Sequence, residues 1–362
     1  MNIEIRLLKD DEKNEVIRLF NLTHPQQRSL EHFHWEFRDA PAGKGIYVVA
    51  YDIDAKKIVG TQAAIPVEMV SNNGERMLTA KSEDTLLDPA YRGKGLFDKM
   101  YQLLFDECRK QGIKYIWGFT YANKPFLKVG FEIPYKATSG LYVINPISSY
   151  NYLSKLNLQN KFMDKFKIFG LCWMGYFTSM NAGLFATKSS DNLSLTENLS
   201  FDRSKVIAAI GQTFKEKIWT INLTNEYINW RFRNNPHSNK FSFFGVKKNE
   251  NIVGDIILNK RKEGFGYIEQ LFLSDEITDT DQQVLINQAI KNLKSQDSFL
   301  IRFLGFDFNK ANKSQIDSLK KCGFTFIDRG ASFVWKRLTD VESEFINPNE
   351  LLMSRSYSQG DV

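Results

Sequence analysis

Two stretches of this chain carry one pattern at an offset of 195 residues: His34-Trp35-Glu36-Phe37-Arg38-Asp39-Ala40-Pro41 and Asn229-Trp230-Arg231-Phe232-Arg233-Asn234-Asn235-Pro236 agree at Trp, Phe, Arg and Pro. Each is followed by an Ile-Val-Gly triplet, Ile58-Val59-Gly60 and Ile252-Val253-Gly254, at an offset of 194. Each then closes a helical stretch with Gly-Phe, Gly130-Phe131 and Gly323-Phe324, at an offset of 193. Three landmarks in register predict a duplicated module, which confines the fold to two copies of one unit. The length of 362 residues, about 2.4 typical domains, leaves room for both.

Within the first copy, Ile3–Leu7 reads as a strand and Asp11–Asn21 as a helix with acids in its first turn, where its dipole favours them. Strands follow at Tyr47–Tyr51, Ile58–Val70 and Met77–Leu87, the last pair joined by a turn at Asn72-Asn73-Gly74. Leu96, Phe97, Met100, Leu103, Leu104 and Cys108 recur at three- and four-residue steps, so Leu96–Gln111 is a helix with one buried face, stopped by Gly112. A strand at Ile113–Phe119, a short helix at Lys124–Val129 and a last strand near Leu141–Ile144 complete one mixed α/β sheet module. The expected division is residues 1–147 for the first module, 148–205 for a connector with helices and a polar loop at Ser189–Asn198, 206–340 for the second module and 341–362 for a loose tail.

Charge and cysteine content narrow the function classes. Lys plus Arg number 48 against 42 Asp plus Glu, a net +6 that suits small anionic ligands better than a nucleic-acid groove, so no nucleic-acid partner is expected. The three cysteines, Cys108, Cys172 and Cys322, have neither disulfide-framework nor metal spacing, and Cys108 belongs to an apolar helix face, so no metal is expected and a reducing cytoplasm is the default. From the acidic stretch Met1–Glu15 no export signal is expected. The most apolar run, Ile168–Phe177, is about half the length of a membrane span and is expected as a buried helix or packed connector, with no membrane partner.

The run Leu86-Leu87-Asp88-Pro89-Ala90-Tyr91-Arg92-Gly93-Lys94-Gly95-Leu96-Phe97 carries chemistry. A strand passes through a basic, glycine-rich turn into a helix start: glycines admit close backbone approach, N–H groups converge, and the helix end adds positive potential for a pyrophosphate. Neither nucleotide fingerprint, G-x-G-x-x-G or G-x-x-x-x-G-K-[ST], is present. Downstream, Ser274-Asp275-Glu276-Ile277-Thr278 stands at the equivalent place in the second copy and brings negative charge where a pyrophosphate would sit.

Arg92-x-x-Gly95 after a strand and Asp88-Pro89, followed by an amphipathic helix, a strand and Lys128-Val129-Gly130-Phe131, resembles the acyl-CoA-binding core of the GCN5-related N-acetyltransferase (GNAT) superfamily over residues 1–145. The family pattern R/Q-x-x-G-x-G/A is broken at its last slot by Phe97. The resemblance implies two GNAT-like modules in tandem, the C-terminal one degenerate, with acyl-CoA, as acetyl-CoA or a short hydroxyacyl-CoA, as co-substrate. It implies that Leu86, Leu87 and Asp88 pair with the pantetheine arm, that Arg92, Gly93, Lys94, Gly95, Leu96 and Phe97 hold the pyrophosphate, and that Asn123 and Phe126 lie along the arm. Phe126 occupies the slot where many relatives carry a thiolate-protonating Tyr, which leaves Tyr121 or water for that task.

For the proton of the attacking amine, Glu83 is the first candidate and Asp84 the second; being adjacent on a strand they are expected on opposite faces. His34, Trp35, Lys81 and Trp230 are candidates to line the acceptor site, against a structural reading of the two tryptophans. Two-module chains of this size resemble bacterial acyltransferases acting on nucleotide-linked amino sugars for surface polysaccharide. The expected acceptor is such a sugar, for instance a dTDP-3-amino-3,6-dideoxyhexose. The alternatives are an aminoglycoside, a protein or peptide amine, or an acyl-CoA-binding module without catalysis.

Overall fold

A computed structural model describes residues 2–24, 27–156, 162–183, 193–197, 217–237, 240–249, 251–274, 276–306, 310–328 and 330–357. Along the chain come β1 (Ile3–Leu7), α1 (Lys13–Thr23), α2 (Leu30–Phe37), β2 (Ile46–Asp52), β3 (Lys57–Ser71), β4 (Arg76–Leu87), α3 (Leu96–Lys110), β5 (Tyr115–Thr120), α4 (Asn123–Lys128) and β6 (Glu132–Lys136). Then follow β7 (Thr138–Val143), α5 (Pro146–Leu156), α6 (Phe162–Gly183), β8 (Leu193–Glu197), β9 (Trp219–Ile221), α7 (Asn225–Ile228, continued by a π-turn at Asn229–Arg233), β10 (Lys240–Lys248), β11 (Asn251–Lys260) and β12 (Gly266–Leu273). The last elements are α8 (Asp279–Ser295), β13 (Leu300–Gly305), α9 (Lys310–Lys321), β14 (Thr325–Ile327) and β15 (Ser332–Arg337).

The duplication is written into the sheets. One runs β1-β2-β3-β4-β5-β15-β6, with β9 paired to the far end of β3; the other runs β8-β10-β11-β12-β13-β7-β14. In each the third and fourth named pairs behave alike: β3–β4 and β11–β12 are antiparallel, while β4–β5 and β12–β13 are parallel. The chain forms two compact units, residues 1–135, 219–236 and 331–348 in one, and 136–218, 237–330 and 349–362 in the other.

Four sequence expectations are corrected. The last strand of the first copy forms at Thr138–Val143 but lies in the second sheet, between β13 and β14, while β15 from the second copy pairs with β5 in the first. Strand periodicity reports which face is buried, not which neighbour supplies the ladder, so the exchange leaves no mark on the sequence. Where a polar loop was expected, Leu193–Glu197 is an edge strand on β10. The tail is packed through residue 356: Leu351, Leu352 and Met353 are buried, and Arg355 Nη1 donates to both carboxylate oxygens of Glu269 at 2.7 and 2.9 Å. Apolar Ile168–Phe177 is helical but only half buried, with Phe169, Met174 and Phe177 exposed. The expected module boundary at 205–206 lies outside the described residues.

The repeated motifs meet each other. Trp35 Nε1 donates to Trp230 O at 2.6 Å, Trp230 Nε1 donates to Trp35 O at 2.5 Å, and the rings sit 5.8 Å apart with both residues buried. With both indole N–H groups satisfied by backbone, the pair is core. Trp230→Ala is expected to cost about 3–5 kcal/mol of stability in guanidinium unfolding, from lost ring burial and a Trp35 carbonyl deprived of its indole donor.

Candidate active site

The site begins with a defect in a ladder. On β3 and β4, Ala63 pairs with Glu83 and Thr61 with Leu86, so the single Gln62 faces both Asp84 and Thr85. Asp84 takes a φ of +51°, the left-handed conformation that Asp tolerates better than most residues. Pairing of β4 with β5 stops at Lys81–Trp117, just before this bulge. Among the described residues no β4–β5 pair forms beyond it, so from Ser82 onward β5 no longer supplies the ladder on that side of β4.

The bulge is held from both faces of the sheet. On the α3 side, Ser82 Oγ and the Tyr101 hydroxyl share a hydrogen bond at 2.8 Å, and Thr85 Oγ1 lies 3.5 Å from the same hydroxyl. Burial raises the Tyr101 pKa, so it stays a neutral donor. On the α2 side, Asp84 accepts from both terminal nitrogens of Arg28 and from the Tyr47 hydroxyl. Arg28 also donates to Glu36 at 2.9 Å and stacks 3.7 Å from the Phe20 ring centre. Arg28, Glu36, Tyr47 and Asp84 are all buried. Burial pushes the Glu36 carboxyl above the usual carboxylate range, opposed by Arg28.

The bulge also overturns the expected opposite facing of Glu83 and Asp84. Tyr47 pairs with Ala63 and Ala63 with Glu83, so these three share a face, and the bond from Tyr47 to Asp84 brings Asp84 to that face as well. The two carboxylates differ in partner instead. Asp84 is committed to Arg28, whereas Glu83 accepts from Lys81, two residues back on the same face. Lys81 is itself buried, and Glu83 is partly open.

After Leu87 the chain turns through Asp88, whose carboxylate accepts from Ala90 N at 3.0 Å, into the basic loop. Gly93 and Gly95 have φ of +76° and +71°, and a Cβ on either would meet nothing within 4 Å. Backbone conformation, not crowding, therefore requires glycine here. Gly95 is the N-cap of α3 and supplies no side-chain cap to the first N–H groups of this 15-residue helix, which starts beside exposed Arg92 and Lys94. Lys94 and Lys57 flank the Tyr91 ring at 5.0 and 5.4 Å. Such a cradle fits a pyrophosphate. Leu96 is buried under the loop, and Phe97 turns from it to pack 4.8 Å from Tyr101 and 5.7 Å from Phe126.

The remaining candidates are dispersed. Asn123, at the start of α4, has a buried Oδ1 without a hydrogen-bond partner, and His34 Nε2 on α2 is likewise buried and unpartnered. Phe126 is buried among Phe97, Tyr101 and Phe131, while Tyr121 is 67% exposed between β5 and α4. Sequence reasoning missed Arg28, Glu36, Tyr47 and Tyr101. The one available signal was for Tyr101, which falls on the apolar stripe of α3 and brings a hydroxyl into it.

The second module lacks the cradle. Its α8 is capped by Thr278, which accepts from Asp281 N at 3.2 Å, and Asp279 and Asp281 fill its first turn. Among the described residues no three His, Cys, Asp or Glu side chains gather as a metal site. Burial pushes the thiols of Cys108 and Cys322 up to about 12 and that of Cys172 to about 11. A thiol reagent is therefore expected to leave all three unmodified in the native protein and to label all three once guanidinium unfolds it. Arg28→Ala strands Asp84 as a buried unpaired charge and is expected to cost about 3–5 kcal/mol in chemical denaturation.

Residues 4–133 match the family model of the acetyltransferase (GNAT) domain. No functionally curated protein matches the sequence significantly. Among solved structures, the chain is similar to a probable N-acyltransferase from Enterococcus faecalis V583, with 11% identity, a TM-score of 0.60, and 93% of this chain and 73% of that one covered. It is similar to a tandem GNAT protein from the clavulanic acid biosynthesis pathway, with 11% identity, a TM-score of 0.53, and 94% and 100% covered. It is also similar to Saccharomyces cerevisiae N-myristoyltransferase bound to myristoyl-CoA, with 14% identity, a TM-score of 0.57, and 92% and 78% covered. At these identities the likeness is one of fold, and it extends over both modules.

Proposed function

We propose that the chain is an acyl-CoA-dependent N-acyltransferase, since residues 4–133 match the GNAT acetyltransferase domain, and that its acceptor is the amino group of a nucleotide-linked amino sugar. The observation that carries the cofactor's placement is the uncapped start of α3 behind the Arg92–Gly95 turn, set at the end of the strand that parts from β5. The pyrophosphate would lie on Arg92 to Leu96, and the pantetheine arm would extend along the unpaired edge of β4 near Leu86, Leu87 and Asp88, past Asn123.

In this reading the neutral amine attacks the thioester carbonyl, a backbone N–H of Thr85 to Leu87 stabilises the oxyanion, and CoA leaves as thiolate. Glu83 takes the amine proton, because Asp84 is committed to Arg28 and Tyr47. Tyr121 or water protonates the thiolate. Residues 1–147 would act as the catalytic module and 206–340 as a copy that has lost its cradle. The net charge of +6 supports two anionic substrates, acyl-CoA and a sugar nucleotide, and the surface-polysaccharide role follows from that acceptor class.

The test is CoA release from acetyl-CoA and a short hydroxyacyl-CoA against dTDP-amino sugars, aminoglycosides and a lysine peptide. Release with the sugar nucleotides alone, with an acylated product mass, is expected; release only with another acceptor overturns the sugar-nucleotide assignment. Arg92→Ala removes a pyrophosphate contact and Gly95→Val forces a β-branched residue to positive φ, so each is expected to weaken acyl-CoA binding about tenfold or more in calorimetry. Glu83→Gln is expected to leave that affinity within about twofold and to lower kcat about 100-fold.

A further inference from the structure

Helix α6 buries one side and leaves the other bare. Ile168, Cys172 and Ser179 are buried, and Ser179 Oγ donates to Val143 O of β7 at 2.6 Å. The opposite side carries Phe166, Phe169, Trp173, Phe177 and Met180 at steps of three and four residues, with Met174 beside them. Phe166 is 68% exposed, Met174 54%, Phe177 50%, Met180 49% and Phe169 47%. Trp173 ties the row together, its ring 6.2 Å from Phe169 and 6.0 Å from Phe177. From α5, Tyr150 packs edge-on to Phe169 at 5.7 Å, and Ile147, three residues before Tyr150, is 63% exposed. A helix rotates about 100° per residue, which places the six α6 side chains within an arc of about 140°. Lys165 and Lys167 fall at its two borders, and after Asp164 the helix carries no acid.

We propose that this face docks on an anionic phospholipid surface, with α6 lying in the plane of the interface. The aromatic and Met side chains would enter the boundary between headgroups and acyl chains, and the lysines at both borders would reach up to the phosphates. A second copy of the chain fits the face less well. Beyond Asp164 at its start, α6 offers no acid to pair with the border lysines of a second copy, whereas anionic headgroups supply that charge. Among the described residues no helix is long and apolar enough to cross a membrane, so the contact is one of lying on the surface. The residues involved are separate from the acyl-CoA cradle, and the inference stands independently of the acceptor proposed above.

The test is flotation of the full chain with vesicles of phosphatidylcholine alone and of phosphatidylcholine mixed with phosphatidylglycerol. Co-flotation with the mixed vesicles, weakened by salt, is expected. The triple variant Phe166→Ser, Phe169→Ser, Phe177→Ser should bind them at least about tenfold more weakly, with acyl-CoA affinity unchanged. Lys165→Glu with Lys167→Glu should abolish the preference for phosphatidylglycerol while the apolar row stays intact. No flotation of the unmodified chain, or unchanged flotation of the triple variant, overturns the proposal. So does a dimer in sedimentation that the triple variant dissolves, which would assign the face to a second copy.

Discussion

The buried bond between Arg28 and Asp84 fixes the geometry on which the candidate site depends. An aspartate at positive φ inside a long strand is a local strain, and it persists because Arg28 and Tyr47 engage its carboxylate on one face while Tyr101 engages Ser82 and Thr85 from the other. Pairing between β4 and β5 ends just before the bulge, so the strand beyond it takes its ladder from β3 alone. The same commitment of Asp84 distinguishes it from Glu83, whose partner Lys81 shares its strand.

The two modules show how one fold diverges in chemistry while keeping its frame. Both have a parallel pair at the centre and a bulge beside it, since Ile257 pairs with Gln270 and Leu258 with Ile268, leaving Glu269 extra on β12. In the second module that extra carboxylate is tied to Arg355 of the packed tail and accepts from Asn259 Nδ2 at 2.6 Å. The helix ends differ in sign: Gly95 leaves α3 uncapped beside Arg92 and Lys94, while Thr278, Asp279 and Asp281 close α8 with its own side chains. The first end is basic and the second acidic.

Much of the fold was legible because burial has a period. The strands and the helices of the first copy fall within a few residues of where alternation and three-to-four spacing put them, and Gly112 ends α3 with a φ of +74°. The basic loop was legible because glycine at Gly93 and Gly95 and charge at Arg92 and Lys94 are local facts. The bulge was not: nothing in Glu83-Asp84-Thr85 announces an extra residue, because the bulge is a mismatch between two strands and is held by Arg28, 56 residues away. The outward row of α6 was mistaken for core because apolar periodicity does not say which side is covered.

The sequence by itself determined the duplicated plan, the order of elements and the basic, glycine-rich turn at Arg92–Gly95, since each rests on residue type and spacing along one stretch of chain. Only the tertiary structure decided which sheet each final strand enters, which carboxylate is locked, and what the paired tryptophans are for. Those depend on contacts such as Trp35 with Trp230, 195 residues apart, where each group's energy comes from a partner that its own neighbourhood does not name.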